Sequence, residues 1–228
     1  MCMFKFQTED KKLRDSIDNP WKHTWKTAKP YLSTKRSRLR IAVDVGSKSG
    51  NFSKWLVQDT PRFNHVHMFD MRPKGKYWKN VPRSCSTFNK VALGNRNGTI
   101  KHWGGITEVP QPRQPTMHSW YKKFSFFIFR KLLIPTMTAE VRKLDSYEFE
   151  GVGLIKIDVE GDELAVLQGA EQTIAREKPV IIVEDNKTAE DLNKYKTGDT
   201  IRWLEKRNYR LAADDGLNNY ILVHGESN

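Results

Sequence analysis

The chain has 228 residues, 38% of them hydrophobic and 29% charged. That length favours one domain with a sizeable core, and the balance excludes both a disordered acidic chain and a collagen-like one. Lys and Arg total 39 against 27 Asp and Glu, a formal net charge of +12. Such an excess fits a polyanionic partner (nucleic acid, an anionic membrane surface or a phosphorylated substrate) and also fits plain solubility.

Residues 1–38 are basic and broken by Pro20 and Pro30, with Trp21, Trp25 and Tyr31 set between lysines. They read as an N-terminal arm or helical extension that docks by its aromatics on a domain covering residues 39–228. Basic and aromatic side chains in alternation also suit a nucleic acid strand. LRIAVDVG is a β-branched apolar run ending in Asp and Gly, which reads as a buried strand. SKSGNFSKWLVQD reads as a turn feeding a helix, with Phe52, Trp55 and Leu56 at helical spacing. HVHMFD is the second strand, RPKGKYWKNV a basic connector, and STFNKVALG the third strand, ending at Gly94. Asn97-Gly98 predicts a hairpin turn into another strand.

Residues 104–135 form an insertion on the acceptor side. It carries Pro110, Pro112 and Pro115, then a basic and aromatic stretch over 120–134 that suits peripheral contact with a membrane or a lid. VRKLDSY reads as a short strand and GLIKIDVEG as a buried one. DELAVLQGAEQTIAREKP reads as one helix, with Leu164, Leu167, Ala170 and Ile174 on a single face and Pro179 stopping it. VIIVED, YRLAA and NNYILVHG are strands, and DTIRWLEKRN is a helix. Strands alternating with helices imply an α/β fold, a mostly parallel sheet covered on both faces.

Cys2 and Cys85 are too few and too distant for a disulfide framework or a metal knuckle, so a reducing compartment is expected. The first ten residues lack the apolar core of a signal peptide, and no run of ~18 apolar residues occurs. The expectation is a cytoplasmic protein; its oligomeric state stays open.

Asp44-Val45-Gly46-Ser47-Lys48-Ser49-Gly50 joins a strand to a helix, where open parallel sheets bind their ligands. Asp70 closes the second strand 20 residues beyond Gly50, the place of a carboxylate that holds the two hydroxyls of a ribose. Together they predict a cofactor containing a nucleoside, either a dinucleotide or S-adenosylmethionine. GxxxxGK[ST] and GxSxG do not occur, which leaves a P-loop and a nucleophile elbow unsupported. His65 and His67 share one strand face, but no further ligand stands out, so a packed histidine pair is preferred to a metal site. Lys156 and Asp158 alternate with Ile155 and Ile157, so both polar side chains point one way. Glu160, Asp162 and Glu163 add charge, the last two read as a helix N-terminal acidic run.

AVDVGSKSGNF, HMFD, VRKLDS, LIKIDVEGDELAVLQGAEQTI and KPVIIVED, in that order, resemble the FkbM family of S-adenosylmethionine-dependent methyltransferases, most closely at KIDVEGDELAVLQGA. The resemblance implies a class I methyltransferase sandwich, Rossmann-like, with seven strands, the last antiparallel. It implies S-adenosyl-L-methionine as cofactor and methyl transfer to oxygen on a sugar, glycan or related small molecule. Asp44, Gly46, Ser47, Gly50, Asn51 and Phe52 match the cofactor loop. Asp70 stands where the family has Glu, Met71 follows it in place of Pro, and Ala92 falls in the third-strand segment near the adenine. Lys156, Asp158 and Glu160 match as catalytic candidates. Asp158 is the candidate base, Lys156 would stabilise charge beside it, and Glu160 would hold a second hydroxyl. No metal ligands are assigned, although a divalent cation bridging Asp158 and Glu184 is an alternative. Two other functions compete: an RNA ribose 2′-O-methyltransferase, favoured by the +12 charge, and a non-catalytic binding module on the same fold.

Overall fold

A computed structural model describes residues 18–32, 41–58, 63–71, 81–103, 106–107, 137–192 and 194–226. The connector at 72–80, most of the insertion at 104–135 and the 120–134 stretch lie outside the described residues.

Five parallel strands carry the site: β1 (Ile41–Val45), β2 (His65–Phe69), β3 (Ser86–Asn89), β8 (Val152–Ile157) and β9 (Val180–Glu184). With β10 (Tyr209–Asp214) and β11 (Asn219–His224) they form a seven-stranded sheet in the order β10-β11-β9-β8-β1-β2-β3. β11 runs antiparallel to both its neighbours, so the last strand is the reversed one, as the resemblance implied. The sequence reads this way because β8 is buried along its whole length and β1 nearly so, which needs helices over both faces.

Two apolar cores fill those faces. One sets Val45, Phe69, Ile155 and Ile157 against α3 (Glu163–Gly169), α4 (Glu171–Glu177) and α5 (Asp199–Glu205). The other sets Ala42, Val66, Leu154 and Ile182 against α1 (Pro20–Ala28) and α2 (Asn51–Gln58). In α2 the buried residues are Phe52, Ser53 and Leu56, with Trp55 half-buried.

α1 starts with Asn19 as its cap, whose side chain accepts the Lys22 N–H, and with Pro20 in the first turn. Trp25 is 1% exposed and meets Phe52 edge to face at 6.3 Å. Thr24 Oγ1 donates to Asp215 Oδ2 (2.6 Å), and the Tyr31 hydroxyl donates to the Ala212 carbonyl (3.0 Å). The aromatics thus anchor the extension to α2 and to the β10–β11 end.

Five local expectations change. STFNKVALG is not one strand: β3 ends at Asn89 in the large sheet, and β4 (Ala92–Leu93) joins β5 (Gly98–Trp103), β6 (Ile106–Thr107) and β7 (Met137–Arg142) in a second sheet of order β4-β7-β5-β6. Asn97-Gly98 makes no hairpin between β4 and β5 (Gly98–Trp103), because β7 (Met137–Arg142) lies between them. The Asn97 side chain instead accepts the Lys143 N–H at 2.8 Å. The strand in VRKLDSY stops at Arg142, and Leu144–Tyr147 forms a 3-10 turn.

The long helix breaks at Ala170 (φ −113°, ψ 10°) into α3 and α4. A Cβ on Gly169 would lie 1.9 Å from the Gly94 carbonyl oxygen, so α3 ends pressed on backbone. Asp145 then caps α4 from outside, accepting the N–H groups of Gln172 (3.1 Å) and Thr173 (2.8 Å). Val166, rather than Leu164, joins Leu167, Ala170 and Ile174 in the core. Among the described residues no helix is long and apolar enough to cross a membrane.

Candidate active site

The loop after β1 takes its shape from glycine. Gly46 has φ +75°, and a Cβ there would stand 1.8 Å from the Asp158 carbonyl oxygen. Only glycine lets this loop pass so close to the end of β8. The N–H groups of Gly46 and Ser47 both donate to the Phe69 carbonyl (2.9 and 3.1 Å), pinning the loop to the end of β2. The Lys48 N–H donates to Asp70 Oδ2 at 2.8 Å, which fixes that carboxylate beside the loop. Gly50, at φ +69°, closes the turn into α2 by donating to the Ser47 carbonyl (2.7 Å).

A cleft open to solvent lies beyond the strand ends. Asp70 and Met71 form one end of it, and Val91, Ala92 and Leu93 form an apolar wall. Gly46 and Lys48 border it on the β1 side, Asp158 and Glu160 on the β8 side. Of the candidate cofactor-binding residues, Gly46, Asp70, Met71 and Ala92 reach this cleft. Asp44, Ser47, Gly50, Asn51 and Phe52 do not line it. Ser47 and Gly50 shape the turn, Asn51 is exposed, and Asp44 and Phe52 are buried.

Next to the cleft runs a buried polar ladder. Lys156 is 1% exposed, with Nζ 3.1 Å from Asp158 Oδ2 and 3.6 Å from Asp44 Oδ1. The Ser53 hydroxyl donates to Asp44 Oδ2 (2.6 Å). The Trp21 ring centroid lies 4.9 Å from the same ammonium. Burial pushes the Lys156 pKa down, but Asp158 and Asp44 outweigh it and hold the group above the usual lysine value. Burial raises Asp44, and Lys156 offsets that only in part. For Asp158 burial is overcome by Lys156 and Lys48, so its carboxyl stays below the ordinary range. Glu184, at the neighbouring strand end, is pushed up to about 9 by burial and by Asp158, to which it donates a hydrogen bond. Asp158 and Glu184 therefore share one proton at neutral pH.

Glu160 stands apart from this ladder. It lies at the cleft mouth, 43% exposed along its side chain, with Oε1 2.6 Å from Lys48 Nζ. Glu163, read above as a helix-end charge, is 4% exposed and ties down the loop that carries Asp158. It accepts the N–H groups of Val159 and Gly161 (both 3.0 Å) and the Tyr195 hydroxyl (2.5 Å). Asp162 is paired with Lys194.

Lys48, Trp21 and Tyr195 also belong to the site, although no sequence pattern marks them as site residues. Lys48 sits inside the glycine loop. Trp21 and Tyr195 come to the site only through tertiary packing.

Among the described residues no group of three side chains is placed to hold a metal ion. Between Asp44 and Asp158 the Lys156 ammonium supplies the positive charge that two buried carboxylates need. His65 and His67 do lie side by side, with ring centroids 4.7 Å apart and planes tilted at 53°. His67 lies against Phe149 (4.1 Å), and burial together with His65 lowers its pKa to about 4.

The model of the methyltransferase FkbM domain matches residues 44–211. The chain belongs to the FkbM methyltransferase family. The FkbM stretch holds every candidate site residue from Asp44 onward but not Trp21, Trp25 or β11. The fold is similar to the crystal structure of the methyltransferase FkbM from Methylobacillus flagellatus KT (TM-score 0.51, 16% identity), over 90% of this chain and 50% of that one. The chain thus spans half the length of that FkbM structure. No curated protein matches it.

Proposed function

We propose that the chain transfers a methyl group from S-adenosylmethionine to a hydroxyl oxygen of a sugar or glycan. The observation that carries the proposal is one cleft bordered by Gly46 and Asp70 on one side and by the buried Asp158 carboxylate on the other. The residues fit such a donor: Asp70 is a carboxylate suited to the ribose hydroxyls, and Val91, Ala92 and Leu93 are an apolar surface for a base. When bound, the donor supplies a methyl group already activated on a sulfonium.

The protein's own task is to hold the acceptor oxygen in line and to receive its proton. Asp158 is ionised and turned to the cleft, so it accepts a hydrogen bond from the acceptor hydroxyl. As the new oxygen–carbon bond forms, that hydroxyl becomes strongly acidic, so a weakly basic carboxylate suffices to take the proton. Glu184 donates into the same carboxylate, and Lys156 keeps the pair from carrying unbalanced charge.

Methylation of an RNA ribose is the second reading, favoured by the +12 charge. A screen with labelled S-adenosylmethionine against saccharides, nucleotide sugars and short RNAs separates the two. Label in saccharides or nucleotide sugars supports the proposal. Label in RNA alone replaces it, and label in no acceptor at all favours a binding module.

A further inference from the structure

The two helical layers over the sheet carry opposite charge. On one face α1 (PWKHTWKTA) and α2 (NFSKWLVQ) meet through Trp25 and Phe52, and they hold Lys22, Lys26 and Lys54 with no acidic residue. On the other face α3, α4 and α5 hold Glu163, Glu171, Glu177, Asp199 and Glu205 against only Arg176 and Arg202. Lys22 and Lys26 are exposed one turn apart on α1, and Lys54 is half-buried. Among the described residues none of the three pairs with an acid. Lys22 and Lys54 instead converge on one ring, with Nζ 5.0 and 5.7 Å from the Trp55 centroid. Like charges gathered in this way repel one another and attract an anion to the face.

Three observations select the kind of anion. A nucleic acid strand on such a surface stacks its bases on an aromatic ring, and the Trp55 ring is already taken by ammonium groups. An anionic membrane takes up exposed apolar side chains. Here Trp25, Ala28, Phe52 and Leu56 are buried, and Trp21, Trp55 and Val57 pack against the core. Finally, the basic face ends at the site, because Trp21, next to Lys22, lies over the Lys156 ammonium that pairs with Asp158. We propose that the α1–α2 face docks a negatively charged glycan through Lys22, Lys26 and Lys54, its chain running past Trp21 toward Asp158. The inference rests on the sugar acceptor given under Proposed function and narrows it to polysaccharides bearing carboxylate or sulfate groups. Trp21, Lys22 and Lys26 lie outside the stretch matched to the family, so this surface adds to the matched domain.

Calorimetric titration of the full chain at low ionic strength with polygalacturonate, heparin, neutral dextran, polyuridylate and anionic phospholipid vesicles tests this. Saturable binding of polygalacturonate or heparin, and none of dextran, is expected; which of the two binds tells carboxylate from sulfate. The face variant Lys22→Glu/Lys26→Glu/Lys54→Glu is expected to weaken that binding at least about tenfold. Lys101→Glu/Lys187→Glu/Lys206→Glu reverses three exposed lysines elsewhere and is expected to stay within about threefold. Both variants should bind S-adenosylhomocysteine within about twofold of the unaltered chain, which also shows that they fold. An equal loss of polysaccharide in the two variants reports net charge alone and overturns the surface. Tighter binding of polyuridylate or vesicles than of either polysaccharide overturns the glycan, as does the absence of polysaccharide binding. Polysaccharide binding that depends on the face, in a chain that binds no S-adenosylhomocysteine, supports the surface and overturns the methyl transfer.

Discussion

Lys156 and Asp158 form an ion pair, 3.1 Å from ammonium to carboxylate, with both side chains at most 5% exposed. Asp44 lies on the far side of the same ammonium at 3.6 Å. A charge so deeply placed is tolerated only when paired, and the cluster sits where strands β1 and β8 end. That position explains why a lysine occurs in an otherwise apolar strand.

Asp158→Asn keeps the shape of the side chain and removes its capacity to take a proton. Turnover is expected to fall by about 10²–10⁴, the usual range for loss of an acid–base group. Affinity for S-adenosylhomocysteine should stay within about threefold. Single-turnover rates and calorimetry on the same preparation check both; normal turnover removes Asp158 from the mechanism.

Glu184 makes stability fall as pH rises. Its folded pKa is raised, so the native chain holds a proton that the unfolded chain releases above its ordinary value of 4.5. The stabilisation this gives is complete below about 4.5 and is lost on the way to about 9. Glu184→Gln should flatten the decline between pH 5 and 9 in urea unfolding, measured against the unaltered chain. An identical slope in both contradicts a shared proton at Asp158.

Gly46→Ala introduces a Cβ 1.8 Å from the Asp158 carbonyl, at a φ of +75°. Both strain and overlap oppose it, so a loss of about 3 kcal/mol is expected, or a fall of roughly 6–12 °C in Tm. Thermal unfolding followed by circular dichroism checks this.

Trp25→Ala removes the largest anchor of α1. A fully buried tryptophan truncated to alanine costs about 3–5 kcal/mol. Denaturant midpoints should drop accordingly, because Trp25 packs on Phe52 within the core below the sheet. A loss under about 1 kcal/mol would show that α1 is not part of that core.

Much of this was legible in the sequence, because continuous apolar runs such as LIKI and VIIV fix buried parallel strands, and glycine fixes the loop at Gly46. Asp70 and Asp158 were found because both close such strands. What failed depends on distant partners. The split at Ala170 needs Gly94 beneath Gly169 and Asp145 capping from 27 residues away, and neither shows in local periodicity. Asn97-Gly98 carries turn chemistry, yet its side chain binds Lys143, and β7 takes the position a hairpin partner would fill. The covering of Lys156 by Trp21 joins residues 135 positions apart, beyond any pattern of spacing.

The proposed methyl transfer depends on a donor nucleoside held between Gly46 and Asp70. Isothermal titration of S-adenosylhomocysteine into the purified chain tests it most directly. The expected result is saturable one-to-one binding, weakened at least about tenfold in Asp70→Ala. No heat of binding from S-adenosylhomocysteine or S-adenosylmethionine, with the chain folded, would contradict it.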